Sequence, residues 1–174
     1  MSGGRGSRLL GMADDARLTH VDDRGAARMV DVSAKDVTVR TAVATGVLRT
    51  TAEVVDLLRR DGLPKGDALA TARIAGIMGA KRTPDLVPLC HPIALSGVKV
   101  DLEPGTDSVA ITATVKTADR TGVEMEALTA VAVAGLTLVD MVKAVDPAAT
   151  IDAVRCESKS GGKTGEWRRP GDRP

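Results

Sequence analysis

One tryptophan, Trp167, is the entire aromatic complement of this 174-residue chain, which has no tyrosine and no phenylalanine. Modules that hold single-stranded nucleic acid stack bases on aromatic rings, and almost none are on offer here. The core must therefore be aliphatic, and a planar ligand must be held by hydrogen bonds and charge. Two cysteines, Cys90 and Cys156, are too few for a disulfide framework, and no CxxC occurs. His20 and His91, the two histidines, show no metal-ligand spacing, which speaks against a dedicated zinc site. Lys+Arg 24 against Asp+Glu 23 leaves no bulk charge to point to nucleic acid or a membrane surface. No apolar run is read as approaching the roughly eighteen residues of a transmembrane span. Met1–Gly11 lacks the apolar h-region of a secretory signal, and Met12 is a possible alternative start. A cytoplasmic protein is expected.

Hydrophobic residues make up 43% and charged residues 27% of the chain, an ordinary globular balance. Residues 1–17, rich in Gly, Arg, Ser and Asp, are expected to lack fixed structure, with one domain over 18–167 and a flexible tail over 168–174. VTVRTAVATGVLR, from Val37 to Arg49, alternates β-branched residues and predicts a strand. Thr50 and Glu53 have capping-box spacing and open a helix through Arg60 that Gly62 and Pro64 stop. A second helix is predicted over Ala68–Lys81, ending before Pro84, with a proline-bounded loop over Asp85–Pro92. GVKVDLE and SVAITATVK alternate strictly and are joined by Pro104-Gly105-Thr106-Asp107, which predicts a hairpin. IDAVRCE, from Ile151 to Glu157, is the last predicted strand. Together these give an α+β, ferredoxin-like antiparallel sheet with helices on one face and one additional helix.

The longest predicted helix lies in KTADRTGVEMEALTAVAVAGLTLVDMVKAV, Lys116 to Val145. Thr121 and Glu124 have capping-box spacing, and Leu128, Val131, Gly135, Leu138 and Val142 recur at helical intervals. Glu124 and Glu126 stand at its start, Asp140 and Lys143 near its end. Fourteen residues separate Glu126 from Asp140, about 21 Å along a continuous helix. Either the two clusters serve separate sites, or one site is assembled from two antiparallel copies of the helix. Ala130, Ala132, Ala134 and Gly135 permit close approach of another element and favour the second arrangement. The plainer alternative is a pair of charge clusters matched to the helix dipole.

Other residues are suited to proton transfer or to anions. His91, in a loop bounded by prolines, can exchange protons near neutral pH or donate to a phosphate. Lys65-Gly66-Asp67 sets a cation beside a helix start, though an N-cap aspartate after a turn explains it equally well. Lys159-Ser160-Gly161-Gly162-Lys163 resembles a phosphate cradle but lacks the helix-entering pattern of a P-loop. Asp140 and Lys143 are spaced to pair on a helix surface. Several cations, a few carboxylates and one histidine, without a metal set or a nucleophile elbow, suit acid–base chemistry on a polyphosphate.

LCHP, GVEMEALTA, DMVKAVD and KSGGKTGEW, in that order, resemble the cyclic pyranopterin monophosphate synthases of molybdenum cofactor biosynthesis, also called molybdenum cofactor biosynthesis protein C. The resemblance runs from about Leu18 to Trp167. It implies a ferredoxin-like catalytic subunit in a homohexamer, a trimer of dimers, with the active site at a dimer interface. It implies a lyase that converts 3′,8-cyclised dihydro-GTP, made by a radical GTP cyclase, to cyclic pyranopterin monophosphate and diphosphate. No redox cofactor is implied, and a divalent ion with the triphosphate is left open. Asp140 and Lys143 are the implied catalytic pair, with Lys65, His91 and Lys159 in proton transfer and triphosphate neutralisation. Leu89, Cys90, His91, Glu124, Met125 and Glu126 are implied to line the substrate, and Lys35, Arg40 and Lys163 to meet phosphate. A non-catalytic nucleotide-binding module and a structural or nucleic-acid-binding oligomer are the rival readings.

Overall fold

The alternation over Thr38–Arg49 forms β1, the middle strand of the computed structural model, which describes residues 24–60, 63, 67–163 and 165–171. Residues 1–17, His20, the helix stop at Gly62 and Pro64, Lys65-Gly66 and the tail beyond 171 lie outside the described residues. The chain divides into two units, 1–30 and 31–174, and every element here belongs to the second. In order they are β1, α1 (Ala52–Arg59), α2 (Ala68–Lys81), α3 (Thr83–Leu86), β2 (Leu95–Pro104), β3 (Ser108–Asp119), α4 (Glu124–Val142), β4 (Thr150–Ser160) and β5 (Trp167–Arg168). The strands form one antiparallel sheet in the order β2-β3-β1-β4-β5. This is the ferredoxin-like plan, with α1 and α2 in the first crossover and α4 in the second.

Two short elements depart from the sequence expectation. Pro84 stops α2 but also begins α3, because a missing N–H costs little in a first helical turn. β5 falls where a tail and loop were expected.

The core is aliphatic, as the composition requires. Leu48, Ile111, Val115, Val131 and Leu138 are fully buried, while Trp167 is 38% exposed. Each such side chain contributes about 1.5–3 kcal/mol on burial. Ala42, Ala44 and Leu48 of β1 alternate with half-buried positions and pack toward the helices. Glycine permits the close approach of α4: a Cβ on Gly46 would stand 2.6 Å from Val131, and one on Gly76 of α2 would stand 2.9 Å from the Ala130 carbonyl oxygen. Gly76→Val is therefore expected to cost about 1–3 kcal/mol through overpacking. A lowered urea midpoint with an unchanged m-value would show it.

Three expectations need correction. α4 is long and apolar enough to cross a membrane, contrary to the reading of no such run. Its apolar side chains are instead taken up by the sheet and α2, with Ala127, Ala130, Val131, Ala134, Leu138 and Val142 completely buried. In α1 the cap is Thr51, whose Oγ1 accepts from Val54 N at 3.3 Å. Thr50 turns its hydroxyl to Asp146 at 2.8 Å, so a tertiary partner shifts the cap by one residue. The Thr121–Glu124 box does not form, since α4 follows Val123 without a side-chain cap.

Candidate active site

Where β1, the turn before α4 and the end of β4 converge, they enclose a cleft of about 180 Å³. Lys35, Arg40, Thr41, Glu124, Lys159 and Gly161 are among its lining residues. Arg40 is aimed by an Nε–H that donates to the Asp119 carbonyl at 2.9 Å, and Arg120 donates to the Lys35 carbonyl at 2.9 Å. The same turn thus fixes two cationic positions. Gly161 and Gly162 have φ of 92° and 71°, conformations that favour glycine. A Cβ on Gly161 would collide with the Val39 carbonyl, and one on Gly162 with the Arg40 guanidinium, so the glycine pair folds tightly over Arg40.

The carboxylate missing from the cap is accounted for here. Glu124 accepts an ion-paired hydrogen bond from Lys159 Nζ at 2.8 Å, across from α4 to β4. A phosphate oxygen entering this cleft meets a lysine already held by a carboxylate it can displace.

Glu126, two residues further along α4, is 3% exposed. Burial is the main force raising its carboxyl from 4.5 to about 7, with the Glu124 charge adding to it against a backbone hydrogen bond. The group is thereby poised to give or take a proton near neutrality. Cys90 lies close enough for the Glu126 charge to add to the effect of burial in pushing its thiol up. A neutral thiol is a poor nucleophile, so Cys90 fits a lining role. Its loop is anchored at the exit, where the fully buried Thr117 donates to the Ala94 carbonyl at 2.6 Å. His91 in this loop is half-buried and electrostatically coupled to Asp31.

The structure therefore gathers Lys35, Arg40, Glu124 and Lys159 around one cleft, with Cys90 beside Glu126. Leu89 and His91 flank Cys90 in sequence, and Met125, 39% exposed, lies between the two glutamates. Lys163 is exposed, just past the glycine pair. Lys65 lies outside the described residues, but Asp67 is the N-cap of α2, accepting from Ala70 N at 2.8 Å. Asp140 and Lys143 are not brought to the cleft. They pair at 2.7 Å with side chains 55% and 59% exposed, at the far end of α4. Thr41 and Ser160 also line the cleft, and sequence reasoning missed Thr41 altogether. Its only signal is its register opposite Ser160, which needs the sheet to be read.

Comparison with known proteins agrees over this whole region. The MoaC family model matches residues 29–162. The cyclic pyranopterin monophosphate synthase of Streptomyces coelicolor is 71% identical over 153 residues, 88% of this chain and 90% of that protein. That of Streptomyces griseus is 65% identical over 169 residues, covering 97% and 96%. Cyclic pyranopterin monophosphate synthase 2 of Mycobacterium tuberculosis is 61% identical over 165 residues, covering 94% and 99%. The chain belongs to the MoaC family.

Proposed function

We propose that this chain is a cyclic pyranopterin monophosphate synthase, a diphosphate-releasing lyase acting on (8S)-3′,8-cyclo-7,8-dihydroguanosine 5′-triphosphate. The observation that carries the reading is the cleft itself, where Lys35, Arg40 and Lys159 meet Glu124 at the start of α4. Cations at that place neutralise a triphosphate and the charge that develops as diphosphate leaves. Glu124 and Glu126 supply hydrogen bonds to the purine-derived rings, replacing the stacking that an aromatic-free wall cannot offer, and Glu126, its carboxyl raised to about 7, also exchanges a proton there. Leu89, Cys90, His91 and Met125 complete that wall, and Lys65 and Lys163 are assigned to neutralising the triphosphate. His91 and Asp140 transfer protons, with Lys143 holding the Asp140 carboxylate in place.

Asp140 and Lys143 can take part only if a second copy brings them. A cleft of about 180 Å³ is smaller than typical ligand sites, which span roughly 300–1,000 Å³. Both facts support a site completed across a dimer, and a homohexamer built as a trimer of dimers belongs to the same reading. So do a cytoplasmic location, supply of substrate by a radical GTP cyclase, and chemistry without a resident metal or redox group. Incubating purified protein with the cyclised GTP intermediate is expected to release one diphosphate per cyclic pyranopterin monophosphate formed. Absence of release by folded protein would leave a nucleotide-binding module instead. Activity that EDTA abolishes and Mg²⁺ restores would give the divalent ion a part.

A further inference from the structure

Lys159 reaches the cleft only because β4 is irregular just before it. Ala44 of β1 faces Cys156, but the next residue back, Val43, faces Ser158, which leaves Glu157 as an extra, bulged residue. Without that bulge, counting on from Cys156 would set Lys159 opposite Thr41, on the face turned away from the fully buried Ala42. With the bulge Lys159 lies opposite Ala42, and its ammonium is 2.8 Å from Glu124. A one-residue slip in register moves a side chain to the other face of a sheet, so the bulge decides which side Lys159 serves.

We propose that β5 and Arg169 form a positioning clamp that holds this bulge and so keeps Lys159 in the cleft. The bulged residue is gripped from both edges. From the β1 side Thr45 Oγ1 donates to the Glu157 carboxylate at 2.6 Å, and within β4 Arg155 Nε–H donates to the same oxygen at 2.6 Å. From the other side the Arg169 backbone N–H donates to the Glu157 carbonyl at 2.8 Å, and its Nε–H to the Cys156 carbonyl at 2.9 Å. Its guanidinium also lies 3.7 Å from the second Glu157 oxygen and 6.0 Å from the Trp167 ring. β5 then pairs Arg168 with Ser158 and Trp167 with Lys159 itself. Ser158 and Lys159, the two residues that follow the slip, are thereby fixed by a strand on each side. The clamp lies beyond the residues that the family model matches, 29–162, and Arg169 is not among the residues lining the cleft. It acts through Lys159.

The test uses the full chain carrying Arg169→Ala, labelled with an amine-acetylating reagent and read by mass spectrometry. Lys159 labelling, normalised to the exposed Lys99 of β2, is expected to rise about fivefold as the strand end opens locally. This arm holds whether or not the chain is a synthase. The kinetic arm rests on that reading: kcat is expected to fall about tenfold from the misplaced ammonium, but less than about twofold when Arg169→Ala is added to Lys159→Ala. Unchanged Lys159 labelling in folded protein overturns the clamp, as does an equal loss of kcat in both backgrounds. A general destabilisation would lower activity in both alike. If Arg169→Ala loses the parent's circular dichroism, Glu157→Gln, which keeps the shape and removes the ion pair, is labelled instead with the same expectation.

Discussion

Glu126→Ala and Asp140→Ala proteins, each reduced by about 10²–10⁴-fold through loss of a proton-transferring group, are expected to regain activity when co-assembled. Random pairing of equal amounts makes half of the dimers mixed, each with one intact site of two, so recovery should approach about a quarter of the parent rate. The expectation comes from the length of α4. Glu126 lies at its buried end, next to the cationic cleft, and Asp140 at its exposed end, held by Lys143 at 2.7 Å. The rise between them is about 21 Å, beyond the reach of two side chains. An exposed pair of this kind contributes little to stability alone, so stability does not account for it. Mixed dimers, separated by distinct affinity tags and assayed for diphosphate release, give the measurement. No recovery in such dimers, or full activity in a monomer, would show that the two ends of the helix do not share a site.

Much of this arrangement can be read from the sequence, for reasons that also mark where reading stops. Period-two alternation in SVAITATVK and helical spacing in ALATARIAGIMGAK depend on local geometry, and the strand and the bounds of α2 appear where expected. Which threonine caps α1 does not depend on local geometry alone. Thr50 and Thr51 both suit the role, and Asp146, ninety-six residues away, takes the hydroxyl of Thr50. Glu124 shows the same competition: its spacing from Thr121 suits a capping box, but Lys159 arrives from β4 as a stronger, charged partner. The bulge at Glu157 and the two-residue β5 leave almost no trace in composition, because both exist through pairing with distant strands. The cleft was legible as residue types and as the motif around Lys159, while the separation of the two charged clusters along α4 required only the count of residues.

Glu126→Gln is expected to stabilise the protein at pH 8 and to leave its stability nearly unchanged at pH 4. The folded carboxyl titrates at about 7 against an ordinary value of 4.5, chiefly because burial disfavours its charge. Below pH 4.5 folded and unfolded chains both hold the proton, and the residue's stability contribution is fully present. As pH rises from 4.5 toward 7 the unfolded chain releases a proton that the folded one keeps, so stability falls. Above about 7 both are ionised and the penalty is constant, on the order of 3 kcal/mol for a difference of this size. Glutamine keeps the shape and carries no charge, so it escapes that penalty. Urea unfolding of parent and variant at both pH values cancels the titration of every other group. An equal gain at pH 4 and pH 8, or none at pH 8, would show that the charge of Glu126 is not what the fold works against. The same substitution is expected to cost activity, because a group held half-ionised at neutral pH is useful in proton transfer for the reason that makes it costly to bury.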